Sequence, residues 1–303
     1  MRILTIALAI ALVSCSSGNS SRKAASADVP TAPETFPQGR VETASIDSKI
    51  LGAEVKYNVY LPAGYDISSR TFPIVYLLHG LTDTYTAWVE KGNMQEVADE
   101  LIASGDACDM IIVMPNAGGP DVSKTWNGYF NMPGWAYEDF FFKEFMPAVE
   151  AKYHAIGDKG HRAVMGLSMG GGGSAVYAQH HPELFSSCYV MSGWLDNKDD
   201  EVNAGHKEKD CLYYVSKAVR ENSAIDFVNN ADDKTLEKLR SIGWFVDCGD
   251  DDFILNLSLS FYQAMRSRKV PCELRVRDGV HNWNYWHVAL AMALPFATEH
   301  FGK

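Results

Sequence analysis

The chain has 303 residues, with 27 Lys and Arg against 38 Asp and Glu, for a formal net charge of −11. That balance excludes nucleic acid as a partner, because such binding is dominated by Lys and Arg contacts to phosphate, and it disfavours a strongly acidic polysaccharide. The length suffices for one large domain, and no internal repeat or second linker divides it.

Met1-Arg2 is followed by an apolar stretch, Ile3 to Val13, too short to span a bilayer, and then by Ser14-Cys15. This start is similar to a bacterial lipoprotein signal. It implies that residues 1–14 are a signal peptide, that Cys15 is lipidated, and that the chain is exported to the cell envelope, on its periplasmic side. The lipid is then its contact with the membrane. Residues 15–38, rich in Ser, Ala, Pro and Thr, cannot bury a core and read as a flexible tether. The folded domain is expected over 39–303.

Within it, Ala53 to Tyr60 alternates apolar and polar, as a strand toward the edge of an antiparallel pair does. Phe72 to Leu78 and Met110 to Met114 are continuous apolar runs, hence strands buried on both faces. Met94 to Ala103 reads as a helix, and Tyr137 to Tyr153 as an amphipathic helix kinked or broken at Pro147. Strands are expected at Arg162–Leu167, Ser187–Ser192, Gly243–Cys248 and Glu273–Val276. Helices are expected at Gly170–Gln179, Phe253–Arg268 and Trp283–His300. The alternation predicts an α/β fold, a mostly parallel central sheet flanked by helices. A polar, mainly helical insertion at about 196–241 would form a lid or side wall.

Beyond Cys15 there are Cys108, Cys188, Cys211, Cys248 and Cys272, an odd number at no metal-like spacing. No metal site is expected. Cys188, Cys248 and Cys272 fall in apparent core strands, where small buried thiols are common.

Gly166-Leu167-Ser168-Met169-Gly170, between an apolar run and a helical one, has the order of a nucleophile elbow. A sharp strand-to-helix turn strains the serine backbone, and the flanking glycines remove Cβ atoms that would clash. Such a serine needs an oxyanion hole, an acid and a histidine. His79-Gly80-Leu81 follows a buried strand, so the N–H groups of Leu81 and Met169 are the candidate oxyanion donors. His79 itself reads as a structural residue of the turn. After strand Gly243–Cys248 come Asp250, Asp251 and Asp252. Asp252 is favoured as the acid, with Asp250 next and a helix N-cap as a competing role for Asp252. After strand Glu273–Val276 comes His281, the candidate base. The order Ser168, Asp252, His281 is that of the α/β-hydrolase fold.

Four segments, LLHGL at 77–81, GLSMGG at 166–171, CGDDDF at 248–253 and GVHNW at 279–283, together resemble the esterase D-like group. That group includes carbohydrate esterase family 1 (feruloyl and acetyl-xylan esterases), S-formylglutathione hydrolases and antigen 85 acyltransferases. The resemblance spans about residues 50 to 300. It implies Asp252 as the acid and Leu81 and Met169 at the oxyanion positions. Trp283-Asn284-Tyr285-Trp286 most resembles the feruloyl-type esterases. The implied activity is hydrolysis of feruloyl or acetyl esters on plant polysaccharide or oligosaccharide, or of small aromatic esters, without any cofactor. Trp126, Tyr129, Trp283 and Trp286 are candidate substrate-binding aromatics. An acyltransferase acting on a sugar or lipid hydroxyl, and a catalytically silent glycan-binding protein of the envelope, are the alternatives.

Overall fold

The computed structural model describes residues 37–119, 126–198 and 211–303. The signal peptide, Cys15, nearly all of the tether, and residues 199–210 of the insertion lie outside these, as does the side chain of Cys211.

β1 (Arg40–Ser48) and β2 (Ala53–Leu61) form an antiparallel hairpin that turns through Gly52, at a φ of 64° that favours glycine. The sequence predicts no strand at 40–48. That polar stretch pairs because β2 offers it a free edge, in register from Arg40 opposite Leu61 to Ser48 opposite Ala53. β2 is therefore not itself at the edge. β3 (Ile74–Leu78) and β4 (Ile111–Pro115) are wholly buried apolar runs. A short hairpin, β5 (Asn131–Met132) with β6 (Trp135–Ala136), stands apart. β7 (Arg162–Leu167), β8 (Ser187–Met191), β9 (Gly243–Gly249) and β10 (Glu273–Arg277) follow.

The eight-stranded sheet has the order β1-β2-β4-β3-β7-β8-β9-β10. β2 is antiparallel to β1 and β4, and the remaining six strands run parallel. One face packs on Phe140, Phe141, Phe145 and Tyr177, the other on Trp88, Leu290 and Leu294. This is the α/β architecture expected.

Pro147 does not break its helix. The segment runs as Tyr137–Phe140, a π turn at Phe141–Phe145, then Met146–Lys152, with Pro147 in the first turn of the last piece. A proline ring clashes with the carbonyl four residues back, here that of Lys143. Widening that turn relieves the clash. Cys188 and Cys248 are buried in β8 and β9, but Cys272 is only half-buried and precedes β10. Pro271 cannot donate to a strand ladder, so pairing begins after it. Cys108, Cys188, Cys248 and Cys272 are all free thiols.

The insertion between β8 and β9 carries helices Cys211–Glu221, Ala224–Asn230 and Asp233–Leu239. Strand order reverses between β3 and β7: β3 crosses to β4 on one side, and β7 leads to β8 on the other. In open parallel sheets the crevice at such a reversal, beyond the carboxyl ends of the strands, is where ligands bind. His79-Gly80-Leu81 leaves β3 there, and Ser168 leaves β7.

Candidate active site

Ser168 has φ 52° and ψ −115°, in the left-handed half of the map that a side chain resists. Its backbone is pinned from three directions. The Ser168 N–H donates to Met191 O at 2.9 Å, and its carbonyl accepts from the N–H groups of Gly172 at 3.0 Å and Trp194 at 2.9 Å. The glycines around it serve close approach. A Cβ on Gly166 would lie 2.6 Å from the Gly170 carbonyl, and one on Gly170 would lie 2.5 Å from Leu78 O. The next three glycines meet different neighbours. A Cβ on Gly171 would strike Gly193, one on Gly172 the Trp194 carbonyl, and one on Gly173 the ring of Tyr129.

Ser168 Oγ lies 2.9 Å from His281 Nε2, and Asp252 Oδ2 lies 2.8 Å from His281 Nδ1. Asp252 Oδ1 also accepts the Ile254 N–H at 3.0 Å. The carboxylate is buried and the imidazole nearly so. Burial works to raise the Asp252 pKa. Hydrogen bonds from His281, the Ile254 N–H and the Ser192 hydroxyl outweigh it and hold the group below its ordinary value. The helix beyond starts at Leu255, and Asp252 caps the turn before it while holding His281. The two roles do not compete.

Asp250, the runner-up acid, does something else. Its Oδ1 accepts the Gly279 N–H at 3.0 Å. With the bonds Asp250 N–H to Arg277 O and Asp251 N–H to Gly279 O, both 3.0 Å, it zips the acid loop to the histidine loop. Behind that loop the buried Asp247 carboxylate accepts from the hydroxyls of Tyr189 and Tyr285. His79 is buried: Nδ1 donates to Gly80 O at 2.7 Å and Nε2 accepts the Ala117 N–H at 3.0 Å. Burial lowers its pKa, so it is a neutral strut of the turn. The turn sits beside the serine, since a Cβ on Gly80 would lie 3.8 Å from Ser168 Cβ. Among the described residues, no turn or loop hydrogen bond uses the N–H of Leu81 or Met169.

A cavity of about 750 Å³ opens onto Ser168. Leu81, Trp194, Ile225, Phe253 and Leu257 give it apolar walls, and Asp196, Asn197 and Lys198 a polar side. The insertion thus contributes a side wall through Asp196–Lys198 and Ile225. None of the four aromatics singled out from the sequence lines this cavity. Tyr129 is fully buried, its hydroxyl donating to His79 O at 2.9 Å. Trp126 is partly buried against the core. Trp283 packs edge-on between Trp88 and Trp286. Trp286 is buried beside His281. The aromatics that do reach the cavity are Trp194 and Phe253, the latter 78% exposed with its ring 4.6 Å from that of His281. Both follow the carboxyl end of a strand of the sheet, Trp194 after β8 and Phe253 after β9, where it adjoins Asp252. Among the described residues, no group of His, Cys, Asp and Glu is placed to hold a metal ion, and no helix is long and apolar enough to cross a membrane.

The profile of the Esterase family matches residues 48–297. A solved structure of a ferulic acid esterase is 47% identical, with a TM-score of 0.83 over 88% of this chain and all of that one. An endo-1,4-beta-xylanase/feruloyl esterase of Xylanibacter ruminicola is 28% identical over 83% of this chain, which spans 30% of that protein's length. An S-formylglutathione hydrolase of Agrobacterium tumefaciens, at 20% identity, shares the fold with a TM-score of 0.71 over 89% of this chain and 98% of its own.

Proposed function

The chain belongs to the Esterase family, and on that premise we propose that it is a serine esterase that hydrolyses feruloyl-type aromatic acyl esters of plant oligosaccharide or polysaccharide. The observation that carries this reading is the unbroken contact from Asp252 through His281 to Ser168, at the mouth of a cavity of about 750 Å³. That volume lies in the range that encloses a multi-ring or drug-sized ligand. An acetyl group would leave most of it empty.

In this mechanism His281 Nε2 takes the proton of Ser168 Oγ as the oxygen attacks the ester carbonyl carbon. The N–H groups of Leu81 and Met169 hold the oxyanion, and Asp252 fixes the imidazole tautomer and stabilises its charged form. The tetrahedral intermediate collapses, the bond from the acyl carbon to the sugar oxygen breaks, and His281 gives the proton to that leaving oxygen, which departs as the sugar hydroxyl. Water then attacks the acyl-enzyme by the same steps, releasing the acid and restoring Ser168. The similarity to a ferulic acid esterase at 47% identity favours the aromatic acyl group.

Comparing turnover of methyl ferulate with release of acetate from acetylated xylan tests the proposal. Faster turnover of the ferulate is expected, and acetate release alone would refute it. The lipoprotein-like start further supports an envelope location with Cys15 as the anchor. Cys15→Ala should then move the chain from the membrane fraction to the soluble one.

A further inference from the structure

Asp196 lies on the loop that leaves β8. Two residues earlier, the N–H of Trp194 donates to the carbonyl of Ser168 at 2.9 Å. The Asp196 side chain is only 6% exposed, and it lines the cavity next to Ser168. Its Oδ1 accepts the Asn197 N–H at 2.9 Å. Its Oδ2 has the Lys198 ammonium at 3.5 Å, but that ammonium lies closer to Asp226, at 3.0 Å. A carboxylate offers about four acceptor positions, and a buried one left under-coordinated is costly. An acyl group that excludes water from the cavity therefore leaves Oδ2 with the shared Lys198 ammonium alone and room for a further donor from the substrate.

A carboxylate accepts and cannot donate, so the partner it selects is a donor, which on an ester of an aromatic acid is a ring hydroxyl. Of the side chains sharing the cavity, Trp194, Ile225, Phe253 and Leu257 are apolar and suit the flat body of a ring, while Asn256 and Ser260 are uncharged polar groups. We propose that Asp196 is a specificity-determining residue, its carboxylate accepting a hydrogen bond from a hydroxyl group on the ring of the acyl moiety. This rests on the reading of Ser168 as nucleophile and of the cavity as the acyl site. A site built to bond a hydroxyl discriminates against the analogue that lacks it far more than an apolar pocket does.

The test compares kcat/KM for methyl p-hydroxycinnamate and methyl cinnamate, which share the alcohol and differ by one hydroxyl. The wild-type chain should prefer the hydroxylated ester by tenfold or more, and Asp196→Ala should bring that ratio close to one. The ratio is independent of the fraction of folded protein. Should the alanine variant not fold, the isosteric Asp196→Asn, which keeps an acceptor but loses the charge, should lower the ratio severalfold. Equal loss on both esters in the variant, or no preference in the wild type, overturns the proposal. A third substrate, feruloyl-arabinose, separates the sources of the hydroxyl. A penalty confined to it, and absent with methyl ferulate, places the bond on the sugar and also overturns the proposal. Wild-type protein that hydrolyses none of these esters refutes the esterase reading itself, a result distinct from hydrolysis without preference.

Discussion

Trp286 stands edge-on to His281, the ring centroids 4.8 Å apart at 89°, while its Nε1–H donates to Ser192 Oγ at 3.2 Å. Ser192 is itself buried at a φ of 45° and is among the groups that hold Asp252 ionised. The indole thus braces base and acid together. Trp286→Phe keeps an aromatic edge against the imidazole and loses the bond to Ser192. The loss is about 1 kcal/mol of ordering, so kcat on a p-nitrophenyl ester should fall about fivefold with KM little changed. A rise in KM at constant kcat would instead assign the indole to substrate binding.

Ser168→Ala removes the attacking oxygen without disturbing the hydrogen bonds of its backbone. Turnover should fall by at least ~10⁴-fold, with the thermal midpoint unchanged and covalent labelling by a fluorophosphonate abolished. Activity retained in the pure variant would remove Ser168 from the mechanism.

The two acids of the β9 loop should separate cleanly. Asp252→Asn leaves an amide facing His281 Nδ1 and permits the wrong tautomer, for which kcat losses of about 10³ to 10⁴ are expected. Asp250→Asn keeps an acceptor for the Gly279 N–H, and its loss should stay under about tenfold. Steady-state kinetics of the two variants side by side decide the assignment, and a reversed ranking would make Asp250 the acid.

Glu138 supplies a pH signature of stability remote from the chemistry. Burial works to raise its pKa, but bonds from His180, at 2.7 Å, and from His181 bring it from the ordinary 4.5 to about 2. A carboxyl with a lower pKa folded than unfolded adds stability that is complete above 4.5 and is lost as pH falls toward 2. Across that window wild-type stability should drop more steeply than that of Glu138→Gln, by on the order of 3 kcal/mol. Denaturant midpoints at pH 5, 4 and 3 should capture about 2 kcal/mol of it, and parallel slopes would contradict it.

The three groups now found in contact could be read in the sequence because each follows a strand end in a fixed chain order. The elbow also needs small residues at set positions, so its spacing carries the geometry. The cavity walls could not be read this way. Aromatic enrichment marks a packed core as readily as a ligand surface, and Tyr129 is fully buried for the first reason. Trp194 and Phe253 belong to no periodic pattern. What brings them to the site is the place where their strands end, which depends on strand order and not on local composition. β1 is hidden for a related reason: its pairing comes from the open edge of β2, and its own mostly polar residues, RVETASIDS, mark no buried face.

The run Gly170 to Gly173 has a consequence for how the enzyme comes into being. Each glycine in a helix gives up about 0.8–1.0 kcal/mol relative to alanine, so the segment Met169–His180 has little tendency to coil unaided. Its shape is imposed by Leu78, Gly193, Trp194 and Tyr129, which close around the four missing side chains. These neighbours come from chain segments far apart in sequence, and contacts of this kind carry a loop-closure cost before they stabilise. The elbow is therefore expected to close only once those segments have docked. During refolding, recovery of ester hydrolysis should lag the return of secondary structure, and partly folded chains would carry no active nucleophile.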